Sequence, residues 1–318
     1  MEISAKILTP DDDFISRNIE DYPEGIIIPI NKPYRWTSAD VIRKVKYAAI
    51  RHFGKKNLKV GHAGTLDPLA TGILLVCIGK ATKLAEWLQS HHKEYIAGVT
   101  FGATTPSYDL EKDIDRFFPH EHITAEAVTD ALPAFIGEQD QVAPLFSAKS
   151  VDGVRAYELA RKLHKEGKTL DEAAQELIRT SRINITELEL MKFESASADR
   201  GFENNPSHAI GASPTPCGQG GSTVFKTGST EAGDNKDSRP TSDASSRINV
   251  TDNSALGLPR AEIRMACSKG TYVRAFARDL GEALGSGAHL DSLQRSRSGI
   301  FSIENALTVE QTVSLLAI

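Results

Sequence analysis

The sequence predicts an α+β chain, on three observations. Runs of strand character recur along it, at residues 25–30, 73–78, 95–102, 183–193 and 261–267; the second is continuously apolar and the others are apolar or alternating. Between and after them stand helical segments opened by capping residues, after Thr37-Ser38 and after Thr124, or carried on from a loop at 275–284. A chain of 318 residues can also bury a sizeable core, as one large domain or two small ones.

Residues 1–24 carry seven acidic and two basic side chains without sustained periodicity, and are expected to be a loose arm. The strand at 25–30 runs into Asn31-Lys32-Pro33-Tyr34-Arg35-Trp36-Thr37-Ser38. Thr37 or Ser38 would cap a helix with Val41, Val45 and Ala48 on one face and Arg43, Lys44, Lys46 and Arg51 partly on the other.

The stretch 61–84, GHAGTLDPLATGILLVCIGKATKL, is the one around which the chain is organised. Gly61, Gly64 and Gly72 permit turns that a Cβ would obstruct. Pro68 pushes Asp67 out of the helical region, so a single carboxylate stands on a stiffened loop beside a buried strand. An isolated Thr-Leu-Asp-Pro is an ordinary turn. Gly79-Lys80-Ala81-Thr82 hints at a phosphate loop, but Gly72 is two residues too far back and the intervening run reads as strand.

A helix is expected over 82–88, then adjacent His91 and His92. Neighbours in sequence point apart and no third ligand is near, so no metal is expected there. Tyr95 opens the alternating segment 95–102, where an aromatic is at home on a half-buried strand. Gly102-Ala103-Thr104-Thr105-Pro106-Ser107-Tyr108-Asp109 follows, then a helix from Thr124 to Leu132, the segment 141–150 and an amphipathic helix beginning in 153–161.

After the strand at 183–193 the composition breaks: in residues 201–255, thirty-five of fifty-five are Gly, Ser, Thr, Asn, Asp or Pro. Such a segment cannot offset an ordering cost of ~1–2 kcal/mol per residue. We expect 200–258 to be a disordered insertion between two neighbouring strands. The chain resumes at 261–267 and passes through Ser268-Lys269-Gly270-Thr271-Tyr272-Val273-Arg274 into a helix at 275–284, and a short helix at 309–316 closes it.

The net charge of −5 is concentrated in the first 24 residues, which carry −5, and in 201–260, which carry −1, leaving a body close to neutral. Binding of a polyanion would need a local basic face rather than a global field. No run approaches the ~18 apolar residues of a membrane span. The N-terminus has no targeting pattern, and Cys77, Cys217 and Cys267 are widely spaced, which favours a reducing cytosol and a cytoplasmic location.

The loop residues Gly61, His62, Gly64, Leu66, Asp67, Pro68, Ala70, Thr71, Gly72 and Leu74 closely resemble the signature G-H-x-G-x-L-D-P-x-A-T-G-x-L of the TruB family of tRNA pseudouridine synthases. A second long match is C-S-K-G-T-Y-V-R from Cys267 to Arg274, with later D-L-G, G-A-H-L and L-x-R elements. Shorter ones are Lys32-Pro33 to Ser38, Lys93-Glu94-Tyr95, and Gly153 to Arg161. Arg35 stands where that family has glycine, Pro106 and Ser107 depart from T-D-T, Ala143 replaces a proline, and Lys149-Ser150 are shifted.

The resemblance implies one mixed, mostly antiparallel sheet flanked by helices with an active-site cleft across its middle, occupying 25–318 apart from the insertion. It implies isomerisation of uridine to pseudouridine at position 55 in the TΨC loop of tRNA, without metal or cofactor. Asp67 would be the nucleophile, Arg274 its ionic partner, and Tyr95 would stack on the base and join in proton transfer. Leu293 would pack against the base, Tyr272 would line the pocket, and His62 would contact the rearranged loop. Lys32, Pro33 and Lys269 would complete the substrate contacts. The partner expected is the TΨC arm of tRNA, the protein acting as a monomer with no obligatory protein partner and no room for a C-terminal RNA-binding domain of PUA type. Two rival readings are an inactive RNA-binding scaffold, which would be expected to have lost Asp67, Tyr95 or Arg274, and a hydrolase or phosphotransferase, which would call for a second acidic residue and magnesium.

Overall fold

The structure is a computed structural model describing residues 3–144, 150–151, 154–155, 180–197 and 248–317. Its main sheet has ten strands among those residues: β1 (Lys6–Ile7), β2 (Ile26–Lys32), β3 (Val60–His62), β4 (Ala70–Ile78), β5 (Lys93–Phe101), β6 (Gly137–Gln141), β7 (Ser181–Glu194), β8 (Arg260–Cys267), β9 (Ala288–Ser298) and β10 (Phe301–Ser302). The order across the sheet is β1-β2-β4-β9-β5-β8-β7-β6, with β3 on β4 and β10 on β9. Only β1/β2 and β4/β9 pair in parallel, so the sheet is mixed and mostly antiparallel, as expected. Among the described residues the helices are α1 (Ser38–Phe53), α2 (Ala85–Ser90), α3 (Ala125–Ala131), α4 (Val273–Ala283) and α5 (Val309–Leu315). Among the described residues no helix is long and apolar enough to cross a membrane.

The unbroken apolar run of β4 has a simple cause: both of its faces are covered. Leu74, Val76 and Ile78 join Val41, Val45 and Phe53 of α1 and Leu315 of α5 in one core. The alternate residues Ile73, Leu75 and Cys77 face a second core with Leu88 of α2 and Phe301. Fully burying each such side chain stabilises the fold by ~1.5–3 kcal/mol. A third core lies beyond β9, where Phe276, Ala277 and Leu280 of α4 pack on Val99, Phe101, Ile263 and Met265.

Thr37 caps α1 through a reciprocal pair with Asp40, its hydroxyl accepting from the Asp40 amide and the Asp40 carboxylate accepting from the Thr37 amide. Ser38 is thereby freed for another task, described below. The expected helix at 82–88 is a 3₁₀ turn, Gly79–Leu84, leading into α2.

Two expectations need correction, and one strand went unassigned. The N-terminal arm is not loose from residue 3 onward: Lys6 and Ile7 pair with Ile26 and Ile27, and Leu8 and Ile15 are each 1% exposed. Acidic composition hid a few apolar residues that find the α1 core. The insertion is also shorter than 200–258, because 248–258 folds against the body. There Thr251 donates from its amide to the Leu110 carbonyl (2.8 Å) and from its hydroxyl to Asp113 (2.8 Å). Lastly, the stretch 288–298 is a central strand, β9, which its polar sequence AHLDSLQRSRS does not announce. The expected pairing of 183–193 with 261–267 does hold, Glu194 lying opposite Arg260. Residues 201–247, the shifted Lys149 and the helix expected from 153–161 lie outside the described residues or, at 154–155, within a short strand.

Candidate active site

Asp67 lies on the turn between β3 and β4, and the sequence fastens that turn from several directions. Ser38, at the start of α1, accepts from the Leu66 amide (3.0 Å) and donates to the Leu66 carbonyl (3.1 Å). Lys32, with no exposed surface, donates its ammonium to the carbonyls of Pro33 (2.9 Å), Trp36 (2.6 Å) and Pro68 (3.2 Å). Arg35 donates its amide to the same Pro68 carbonyl (3.0 Å). Arg35 adopts φ 62°, a side chain occupying a left-handed position that suits glycine. Its guanidinium donates to the Ile248 carbonyl (2.7 Å).

Against this turn stands Arg274, on the first turn of α4 and buried. Its Nε lies 3.0 Å from Asp67 Oδ2 and 3.7 Å from Asp109 Oδ2, and Nη1 donates to the Ser107 carbonyl (3.1 Å). Burial works against the guanidinium, but the charges of Asp67, Asp109 and Glu111 hold its pKa above the ordinary value. Asp109 is itself fixed, Oδ1 accepting from the Ser107 hydroxyl (2.6 Å) and the Glu111 amide (3.0 Å). The departure Pro106-Ser107 is thus part of the site's support. Asp67 differs from its partner in exposure: its side chain is 41% accessible against 7% for Arg274. One oxygen is held and the rest of the carboxylate opens outward.

It opens onto two adjoining cavities, a larger and a smaller, both lined by Asp67, Arg274 and Leu293. The larger also has Tyr95, Lys269 and Tyr272 in its wall, and the smaller has Asp109 and Leu110. The fold therefore brings Asp67, Tyr95, Arg274, Tyr272, Leu293 and Lys269 to one cleft. Tyr272 is clamped at its backbone by Gln141, which accepts from the Tyr272 amide (2.8 Å) and donates to its carbonyl (3.1 Å). Leu293 sits on β9 between Ala70 of β4 and Ala97 of β5.

Lys32, Pro33 and His62 line neither cavity. Burial drives the Lys32 ammonium down to about 7, with the charge of Asp67 opposing. His62, on β3, is half-buried with Nδ1 sealed off from any partner; burial and then the charge of Arg295 lower its pKa.

Sequence reasoning assigned no role to Asp109, Ser107, Lys93 or Arg295, all of which the fold brings to the site or its wall. Lys93, pushed by burial to about 8, closes the end of α2 by donating to the carbonyls of Gln89 and His91. Arg295 is 2% exposed. The signal for Asp109 and Arg295 was present, since each falls at a matching position of a quoted motif, but nothing in one dimension says what such a residue touches.

Comparison with known proteins adds a family. Residues 51–203 match the model described as TruB family pseudouridylate synthase (N terminal domain), and 274–317 match tRNA pseudouridylate synthase B C-terminal domain. The chain is 41% identical over 290 residues to tRNA pseudouridine synthase B of Phocaeicola vulgatus, covering 91% of this chain and 92% of that one. It is 40% identical over 287 residues to the Bacteroides fragilis protein of the same name, covering 90% and 92%. With the Thermus thermophilus protein of that name the identity is 37% over 281 residues, covering 88% and 75%. Among solved structures, a chain of a Cbf5-Nop10-Gar1 complex superposes with a TM-score of 0.53 at 21% identity, over 98% of this chain and 60% of that one. That likeness concerns the fold.

Proposed function

Because this chain belongs to the TruB family of pseudouridine synthases, we propose that it isomerises uridine to pseudouridine in tRNA, at position 55 of the TΨC loop, with Asp67 as nucleophile. The observation that carries the assignment is the asymmetry of Asp67: Arg274 Nε holds Oδ2 at 3.0 Å while the carboxylate faces the cleft. A guanidinium partner fixes the direction in which the carboxylate points and leaves its other oxygen free for the substrate.

The reaction breaks the bond from N1 of the base to C1′ of the ribose and forms one from C5 to the same carbon. The proton leaves C5 and N1 gains one, so no electrons are exchanged with any other molecule. Asp67 supports this by attacking C1′ or by stabilising positive charge on the sugar as the base departs. A detached base must be kept from escaping while it turns. Tyr95 and Leu293 flank the space beside Asp67 and provide an apolar slot for its faces. The target lies inside a folded loop, so it must first be extruded, at a cost of a few kcal/mol. Lys269, exposed at the rim of the larger cavity, is placed to meet the phosphates of the extruded strand.

Asp67→Asn tests the assignment, since the amide keeps the shape of the carboxylate. Tritium release from C5-labelled uridine in tRNA should fall to background while tRNA binding, measured by filter retention, stays within about threefold. Substantial turnover by the Asn variant would remove Asp67 from the mechanism.

A further inference from the structure

β9 enters the sheet between β4, which follows Asp67, and β5, which carries Tyr95. Arg295 on β9 lies in register with Gly72 on one side and Tyr95 on the other. Its backbone is pinned there, because β4 approaches so closely at Gly72 that a Cβ would overlap the Arg295 carbonyl. Its side chain is pinned as well. Nε donates to the Ile73 carbonyl (2.7 Å), while Nη1 and Nη2 reach the carbonyls of Thr65 (3.4 Å) and Gly64 (3.5 Å). Residues directly opposite on antiparallel neighbours project from the same face of the sheet, so Arg295 and Tyr95 stand side by side, and both belong to the wall of the larger cavity.

A guanidinium carries five donors and no acceptor. Toward such a neighbour the Tyr95 oxygen can only accept, which leaves the phenol's own proton for another partner.

From this we infer that Arg295 is a positioning residue for Tyr95: held by three backbone carbonyls, it fixes the rotation of the Tyr95 hydroxyl and presents it, ready for proton transfer, to the base being turned over. The inference rests on the functional reading above. It is separate from the Asp67–Arg274 pair, which approaches the nucleophile from α4. Burial raises the Tyr95 hydroxyl above its ordinary pKa, and the charge of Arg295 is the largest influence in the opposite direction, consistent with a phenol tuned from that side.

The experiment is a double-mutant cycle. Arg295→Lys, which keeps the charge but loses the fork, and Arg295→Gln are each made alone and with Tyr95→Phe. Single-turnover tritium release at saturating tRNA is measured for all of them, with tRNA affinity and melting temperature alongside. Acting through Tyr95, each Arg295 exchange should slow the chemical step at least about 10-fold, within the range of a positioned proton-transfer group. The dissociation constant for tRNA should stay within about twofold. In the Tyr95→Phe background the same exchange should change the rate by less than about twofold, the ordinary limit for independent sites. An equal loss in both backgrounds would overturn the inference, as would weaker tRNA binding at an undiminished single-turnover rate. Equal rates for Tyr95→Phe and wild type would overturn it too, leaving Asp67 untouched. If Arg295→Gln does not fold, Arg295→Lys carries the cycle alone, and should it retain full rate the inference fails. A wild-type protein that makes no pseudouridine would overturn the functional reading and this inference together, whereas an active, Asp67-dependent enzyme with an additive cycle would overturn this inference only.

Discussion

Arg274 Nε stands 3.0 Å from Oδ2 of Asp67, and the guanidinium is much the more buried member of the pair. The guanidinium is a fixed part of the interior and the carboxylate is the part presented to the cleft. Asp109, 3.7 Å behind the same Nε, keeps the guanidinium from turning wholly toward either acid.

Arg274→Lys keeps the charge but cannot engage Asp67, Asp109 and the Ser107 carbonyl together. Losing a charge-assisted bond of ~1.5–3 kcal/mol predicts a fall in kcat of ~10–100-fold or more. Asp109→Asn should lower kcat in the same direction but by less, with tRNA affinity nearly unchanged. Steady-state kinetics on a tRNA transcript would check both. An Asp109→Asn enzyme slower than Arg274→Lys would mean that Asp109 acts directly on substrate.

Lys32 predicts a pH-dependent stability. Its folded-state pKa is about 7, against an ordinary 10.5. Between those values the unfolded chain binds the proton and the folded chain does not, so this residue makes stability rise with pH over that window. Replacing it by Met removes the dependence. The difference in melting temperature between wild type and Lys32→Met should therefore shift in favour of wild type from pH 7 to pH 9.5. A constant difference would show that Lys32 stays protonated in the fold.

Gly72→Ala should destabilise by about 3 kcal/mol. The position has φ 101°, and a Cβ there would overlap the Arg295 carbonyl oxygen and lie 2.8 Å from the Arg295 nitrogen. Chemical denaturation would show a lowered midpoint, and the surviving folded protein should turn over slowly because β4 and β9 can no longer close.

Replacing 201–247 by a short Gly/Ser linker should leave melting temperature and turnover close to wild type, since the segment's sequence is polar and unpatterned and halving a loop's length changes closure entropy by only about 0.6 kcal/mol. Extending the deletion to 258 should not be neutral. It removes the bonds of Thr251 to Leu110 and Asp113 and the Asn253 contact with His289 (3.4 Å), and Leu110 lines the cavity beside Asp67. Paired thermal melts and kinetics of the two deletions would check the difference.

The parts of the site legible in sequence were those whose local backbone announces them. The glycines around Asp67 permit tight turns and Pro68 stiffens the loop whatever lies nearby, and the apolar run of β4 reads as a strand because both its faces are covered. Arg274 was assigned a role only through the resemblance of Cys267 to Arg274 to the family motif. The rest depended on neighbours distant in the chain. Arg295 and Leu293 lie on a strand too polar to show a period, recognisable only once β4 and β5 are seen to flank it. Asp109 sits in a turn whose purpose is visible only with Arg274 behind it. Leu8 and Ile15 are single apolar residues in an acidic stretch, and no pattern says that α1 will cover them.

The placement of β9 has a consequence for how the protein is made. Asp67 and Tyr95 are synthesised early and the helix bearing Arg274 later, but the strand between β4 and β5 comes from residues 288–298. Until those residues leave the ribosome, β4 and β5 each lack the neighbour they share, and the two edges cannot pair with each other in its place without losing the register that Leu293 and Arg295 impose. A nascent chain that stalls before residue 288 would display two apolar strand edges, a state that invites association with other chains. The cleft around Asp67 therefore cannot be complete until residues 288–298 have been made.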